Sequence, residues 1–191
     1  MHATLIQPPR IEPVTLAEAR QWLRDDSYDE DQIIQTLIVS ARMTLEAFTR
    51  RFLLEQRWRL AYDFWPETAI YANTIAIPFS PCRSIDAIRV YDVSSIPITM
   101  DTGNYHLSTS SDAARIVFQA PPPPPMRAHD SVEIDITVGY SAEPLQIPEP
   151  FRRAILMLVA AWHHQRGDGP ETILPDSVLR LVTPFRRERL I

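Results

Sequence analysis

Lysine is absent from this 191-residue chain, and all nineteen of its basic side chains are arginine. That excludes a Walker-type phosphate lysine and a Schiff-base lysine together. Glycine is nearly as scarce. Gly103, Gly139, Gly167 and Gly169 are the only four, and none falls in a GxGxxG or GxxxxGKS/T pattern. Cys82 stands alone, so the chain can close no internal disulfide and build no thiolate zinc site. Beside Pro81 it reads as a small buried hydrophobe in preference to a reactive thiol. The longest uncharged apolar run, residues 154–162, falls far short of the roughly 20 residues that cross a bilayer. The N-terminal stretch MHATLIQPPRIEP shows neither an h-region nor a cleavage signal, which predicts a cytoplasmic chain. A net charge of −5 argues against tight sequence-independent DNA binding, which needs a cationic excess to displace counterions. It does let DNA pass nearby without sticking.

What is present divides by periodicity. The length suits one domain, or one domain with an insertion, and can bury a real core. Thr15-Leu-Ala-Glu18 is a capping-box pattern and predicts a helix over residues 16–23, with Leu16, Ala19 and Leu23 on one face and Trp22 beside them. Asp25-Asp26-Ser27 should break it. A longer helix is predicted from Asp29–Asp31, where carboxylates suit the positive end of the dipole. Ile34, Leu37, Ile38, Ala41, Leu45 and Phe48 mark its apolar face. Gln32, Gln35, Arg42 and Glu46 are assigned to the opposite face, and Arg50 and Arg51 to the basic end.

From Gln56 the period becomes two: Trp58, Leu60, Tyr62 and Phe64 alternate with Arg57, Arg59, Ala61 and Asp63, as in a half-buried strand. Further strands are predicted over residues 74–77, 85–91, 105–107, 114–118 and 132–138, separated by turn-prone breaks. Pro121–Pro125 must be extended, because five prolines lock φ and remove five donors. A stiff connection between two strands accounts for it more simply than an SH3-type ligand does. A helix follows over residues 150–165, ending at Gly167-Asp-Gly-Pro170, and a last one opens at Pro175-Asp176 with Val178, Leu179, Leu181 and Val182. The fold class is therefore α+β: a helical bundle from residues 1–55 and 142–191, with a small antiparallel β domain inserted over residues 56–141.

No catalytic constellation has support in the sequence. His163 and His164 are adjacent in a helix and point about 100° apart, so they cannot share an ion as an i,i+4 pair would. Asp29, Glu30 and Asp31 lack EF-hand spacing and read as a solvated helix start. No GxSxG elbow accompanies the available Ser, His and Asp residues. Asp63 and Glu67 flank Trp65-Pro66 as a conceivable hydrolase pair, but a strand end and turn explain them equally well. No catalytic, cofactor or metal residue is assigned.

The block from Ile147 to Leu190 carries more information. Its first helix is apolar on every side, so it needs protein all around it. Ile155, Leu156, Leu158, Val159 and Trp162 would each gain roughly 1.5–3 kcal/mol on full burial. Ile155, Leu158, Val159 and Trp162 are predicted to pack in the core or between subunits. The tail Phe185, Arg186, Arg187, Arg189, Leu190 and Ile191 reads as a solvated end or as a docking segment, with nucleic-acid contact a weaker third reading given the acidic whole. In the second reading, Arg forks pair with carboxylates and Phe185, Leu190 and Ile191 act as anchors.

Many weak motifs in a fixed order together resemble the gp6-like head–tail connector (adaptor) proteins of phages, prophages and gene transfer agents. They begin with Glu12-Pro-Val-Thr-Leu-Ala-Glu-Ala19, Trp22-Leu-Arg24, Glu30-Asp31 and the 33–46 helix ending in Thr49-Arg50-Arg51. Gln56-Arg-Trp58, Trp65-Pro66, Ile77-Pro78, Ser80-Pro-Cys-Arg-Ser84 and Val90-Tyr91-Asp92 follow. Gly139-Tyr140, Ile147-Pro148, Ala154-Ile-Leu-Met-Leu158, Arg166, Leu174-Pro175 and Pro184-Phe-Arg186 complete the series. The five-proline run and His163-His164 depart from the family pattern.

The resemblance implies a non-enzymatic virion protein without cofactors, placed in the particle neck and assembled in the bacterial cytoplasm. Copies would form a dodecameric ring between portal protein and a tail-side neck or tail-terminator protein. Double-stranded DNA would pass through its channel without specific binding, and no membrane is involved. The stretch after Pro184 would dock on the portal. A tail-completion or tail-terminator subunit is the alternative, and an uncharacterised hydrolase the third reading.

Overall fold

The computed structural model describes residues 1–24, 27, 29–110, 113–165 and 174–187. The predicted break at Asp25-Asp26, the stop at Gly167–Pro170, and Arg189, Leu190 and Ile191 lie outside them. The described residues form an α+β fold with antiparallel sheets. They divide into two compact units: Met1–Pro8 with Glu55–Gly139, and Pro9–Leu54 with Tyr140–Ile191.

The second unit is helical. Helix α1, Leu16–Leu23, opens on the predicted capping box: Glu18 N–H donates to Thr15 Oγ1 at 3.2 Å, and Thr15 N–H to the Glu18 carboxylate at 2.8 Å. Helix α2 is Asp31–Thr49. Both helices close on an arginine in the left-handed region, Arg24 (φ 57) and Arg50 (φ 56). Glycine usually takes that position, and this glycine-poor chain does without it. Helix α4, Glu149–Gln165, and helix α5, Asp176–Val182, complete the bundle. Ile34, Ile38, Ala41 and Leu45 of α2 share a core with Phe151, Ala154, Ile155, Leu158 and Val159 of α4 and with Val178 and Val182 of α5. No residue from Ala154 to His163 is fully exposed, as a helix without a polar face requires.

One prediction for α2 is corrected. Arg42 and Glu46 are not on its solvated face but buried, 8% and 9% exposed. The Arg42 guanidinium grips Glu12 with two nitrogens, Nε to Oε2 at 2.7 Å and Nη2 to Oε1 at 3.2 Å, and donates through Nη1 to Glu46 Oε2 at 2.8 Å. Glu46 Oε1 accepts from Leu53 N–H at 2.8 Å. Helical periodicity sorts residues by hydrophobicity, so a paired buried ion is misplaced by the same rule that places the leucines correctly.

The first unit is β-rich. Strands β1 His2–Gln7, β2 Gln56–Tyr62, β8 Val132–Val138, β4 Cys82–Tyr91 and β5 Pro97–Thr99 form a five-stranded antiparallel sheet in that order. Strands β3 Thr74–Ala76, β7 Arg115–Phe118 and β6 Tyr105–Ser108 form a second sheet. Register aligns Tyr62–Val132–Val90, Leu60–Ile134–Ile88 and Trp58–Ile136–Ile85 in apolar rows on one face of the larger sheet. The other face carries Arg57–Thr137–Ser84, Arg59–Asp135 and Glu133–Arg89. A period of two puts every second residue on the same side.

Strands β1 and β5 and the short helix α3, Glu67–Tyr71, were not predicted. Strand β5 is exposed along its length and β1 nearly so. They arise from backbone pairing at the sheet edges and bury no face that a hydrophobic pattern could reveal. Phe64 is another correction: β2 ends at Tyr62, and Phe64 is 66% exposed. Between β7 and β8, the proline run is held where Trp65 Nε1 donates to the Pro123 carbonyl at 2.7 Å. Gly139, at φ 114, ends the unit with a backbone that side chains rarely tolerate.

Candidate functional site

The acidic and histidine suspects resolve into structural ties. Asp63 accepts from Asp130 N–H at 2.9 Å and lies 3.7 Å from His129 Nδ1. The Asp130 amide is the main reason its carboxyl sits below the ordinary range. Glu67 occupies the first turn of α3, where the dipole favours it. Asp31 faces Arg20 Nη1 at 3.5 Å, and Glu30 meets His163 Nε2 at 2.5 Å. The His163 and His164 rings lie edge to face at 5.8 Å. Among the described residues, no group of three His, Cys, Asp or Glu side chains could hold a metal ion, and no helix is long and apolar enough to cross a membrane. Burial pushes the Cys82 thiol up to about 12, so at neutral pH it is not the thiolate that reacts.

The strongest polar cluster lies on the five-stranded sheet. Asp135, 3% exposed, accepts from Arg59 Nε at 2.7 Å and Nη2 at 3.0 Å, and from Arg89 Nη1 at 2.7 Å. Glu133 Oε2 lies 3.2 Å from Arg59 Nη1, and the Arg127 guanidinium stacks 3.8 Å above the Tyr91 ring. Burial alone would raise the Asp135 carboxyl, but the two guanidiniums outweigh it and hold it below the ordinary carboxylate range. The arrangement stitches three strands together and holds no catalytic pair. A depressed folded value gives stability that is present above the unfolded carboxylate range and is lost as pH falls through the folded one. Asp135→Asn should therefore cost about 1–3 kcal/mol at pH 7. In urea titrations from pH 7 to pH 2, it should also remove part of the wild-type acid slope below about pH 4. An unchanged acid slope would refute this assignment.

The C-terminal segment is the remaining candidate. Helix α5 passes into a 3-10 turn, Thr183–Phe185. The Phe185 ring packs 4.9 Å from Phe151, which is fully buried and also meets Tyr140 at 5.9 Å. The Phe185 carbonyl accepts from Arg51 Nε at 2.6 Å, and Arg187 N–H donates to the Thr49 carbonyl at 3.0 Å. The exposed Arg186 sets its guanidinium 5.0 Å over the Phe48 ring. The α2 end thus clamps the segment through the Thr49 carbonyl and the Arg51 side chain, which flank its left-handed Arg50 cap. Phe185 packs against its own helical unit, while Arg186 is exposed. Ile155, Leu158 and Val159 are fully buried in the helical unit's own core, and Trp162 is half-buried against it. An open groove of about 420 Å³ runs along Asp176, Leu179, Arg180, Thr183 and Pro184.

Sequence reasoning missed the Asp135 and Arg42 clusters. The signal for the first was present, because Glu133, Asp135 and Thr137 alternate with isoleucine and valine, but the partners come from other strands.

No family model and no curated protein matches the sequence. Solved structures do share its fold. A chain in the virion of a native gene transfer agent (GTA) particle superposes with a TM-score of 0.85, one in the neck of an empty GTA particle computed with C6 symmetry with 0.84, and one in the neck of a native GTA particle computed with C12 symmetry with 0.82. Each is 23% identical, and each alignment covers 100% of this chain and 98% of the other. Over its full length, this chain has the fold of those GTA particle chains.

Proposed function

We propose that this chain is a head–tail connector (adaptor) subunit in the neck of a phage or gene transfer agent particle. Copies form a homo-oligomeric, dodecameric ring between the portal protein and a tail-side neck or terminator protein, and double-stranded DNA passes through the channel. The protein does no chemistry; its work is to join two rings. It belongs to the virion and is assembled in the bacterial cytoplasm. The observation that carries this reading is the full-length match to chains of GTA particles, two of them reconstructed as necks under rotational symmetry. The motif order that resembles gp6-like adaptors supports it independently, and the acidic net charge of −5 suits a channel that must not trap DNA.

The segment from Arg186 onward is the portal-docking element, with Arg186, Arg187 and Arg189 as carboxylate-pairing forks and Leu190 and Ile191 as apolar anchors. Phe185 itself secures the segment from within. A cut after Pro184 would remove a core ring, so the informative truncation falls after Arg187. That truncation should lower the fraction captured by a portal ring about tenfold, the equivalent of roughly 1.4 kcal/mol, while leaving thermal unfolding unchanged. Capture equal to that of the full chain would refute Arg189, Leu190 and Ile191 as docking groups. Failure of the full chain to associate with portal or tail-side neck protein would refute the connector reading itself.

A further inference from the structure

Helix α2 carries two seams. Ile34, Ile38, Ala41 and Leu45 face the helical core and are buried. A second series, Ile33, Thr36, Ser40, Met43 and Ala47, recurs at the same three- and four-residue spacing on the outer side, with Ile33 54% and Met43 58% exposed. An outward helix stripe is normally charged. This one shows no ionised side chain from Gln32 to Ala47, because the two charged residues of that stretch, Arg42 and Glu46, turn inward. Within it, Thr36 Oγ1 donates to the Gln32 carbonyl at 2.9 Å, and beside it Thr44 Oγ1 donates to the Ser40 carbonyl at 2.8 Å. Arg186 over Phe48 marks the border at the C-terminal end.

Among the described residues, a second exposed surface of this character lies on the β-rich unit. Residues 93–100, VSSIPITM, lie uncharged between Asp92 and Asp101. They form the turn between β4 and β5 and β5 itself, and display Val93 at 77%, Ile96 at 59% and Ile98 at 59% exposure. Asp92 Oδ1 accepts from the Ser94 and Ile96 N–H groups, both at 2.8 Å, so the turn satisfies its own backbone. Pro97 removes a donor from the edge strand, so this surface offers side chains in place of a pairing ladder. The remaining large exposed apolar groups are less suited. Phe64, Ile70 and Tyr71 lie near Asp63 and Glu67, Trp22 between Arg20 and Arg24, and Ile11 between Arg10 and Glu12. Met126 is beside Arg127, Leu145 two residues from Glu143, and Met1 beside His2, which faces Asp130, while Leu5 and Ile6 on β1 are less exposed at 41% and 42%.

Covering an uncharged stripe with an ion-bearing surface leaves that ion desolvated and unpaired. The stripe has no cation for a phosphate, so DNA is excluded as its partner. Resting on the ring reading above, we propose that the outer stripe of α2 seats the β4–β5 turn of a second copy of this chain. A closed ring of identical subunits needs two unlike patches on every copy, and these two match in charge and polarity.

The test uses the full chain, with native mass spectrometry read in solution and on a portal ring. Met43→Glu and Ile98→Glu each alter a residue more than half exposed, so melting should stay that of the wild type. Each should cut the assembled fraction at least about tenfold, and the pair Met43→Arg with Ile98→Glu should recover part of it. Wild-type assembly by either single variant removes that patch from the interface and overturns the proposal. Two blocked single variants without recovery in the opposite-charge pair show that the patches do not meet each other, which also overturns it and leaves the ring reading standing. A wild-type chain that is monomeric in both settings overturns the ring reading, and this contact with it.

Discussion

Arg42→Ala should destabilise the helical unit by about 3–5 kcal/mol, the cost of leaving a buried ion without its partner. Arg42 ties α2 to Glu12 before the first helix, and its partner Glu46 on the same helix in turn holds the Leu53 amide beyond it. Its removal strands the Glu46 carboxylate, 9% exposed, in a site where burial already raises that carboxyl despite Arg42 and the Leu53 amide. The sign of the pH dependence follows. A raised folded value gives stability that is present below the unfolded carboxylate range and is lost as pH rises through the folded one. The deficit of the variant relative to wild type should therefore shrink as pH falls from 7 toward the ordinary carboxylate range, because the raised Glu46 carboxyl takes up its proton before that range is reached. Glu46→Gln should cost much less, because an amide oxygen can still accept from Leu53 and Arg42 keeps both contacts to Glu12. Urea denaturation of the two variants at pH 7 and pH 4.5 checks this. Equal costs at both pH values would remove the buried ion from the explanation.

Phe151→Ala should be comparably severe, at about 3–5 kcal/mol. Phe151 is fully buried on α4 and touches both Tyr140 and Phe185. Truncating it opens a cavity at the joint where the C-terminal segment meets the bundle. The effect should therefore reach beyond stability: the segment from Phe185 onward loses its inner anchor, and limited proteolysis should cut there first. Portal capture should fall in step with cleavage. A variant as destabilised as expected, yet with its C-terminal segment still protected, would mean that Arg51 and the Thr49 carbonyl alone hold the segment.

These two residues show where sequence reading succeeds and stops. Phe151 lies in the apolar helix that periodicity marks as needing cover on every side, and the structure supplies it. Arg42 obeys the same periodicity as its neighbours, but whether a charged side chain at a given phase points to water or to a carboxylate depends on residue 12, thirty positions away. The Asp135 cluster repeats the lesson on a sheet. Alternation assigns Asp135 to a polar face, and only register brings Arg59 and Arg89 to it from two other strands. Phe185, read as an outward anchor, turns inward because the α2 end offers its carbonyl and an arginine at the right height.

The sequence by itself determined the α+β class, the capped first helix, the strand period after Gln56, and the absence of any assignable catalytic motif. Each of these depends on neighbours within a turn or two along the chain, where propensity and periodicity operate. The tertiary structure alone decided which charges are buried, which strands pair at the sheet edges, and which face of α2 is left uncharged and uncovered. Those outcomes depend on groups far apart in the chain meeting in a low-dielectric interior or across a backbone ladder, and no local pattern encodes such a meeting.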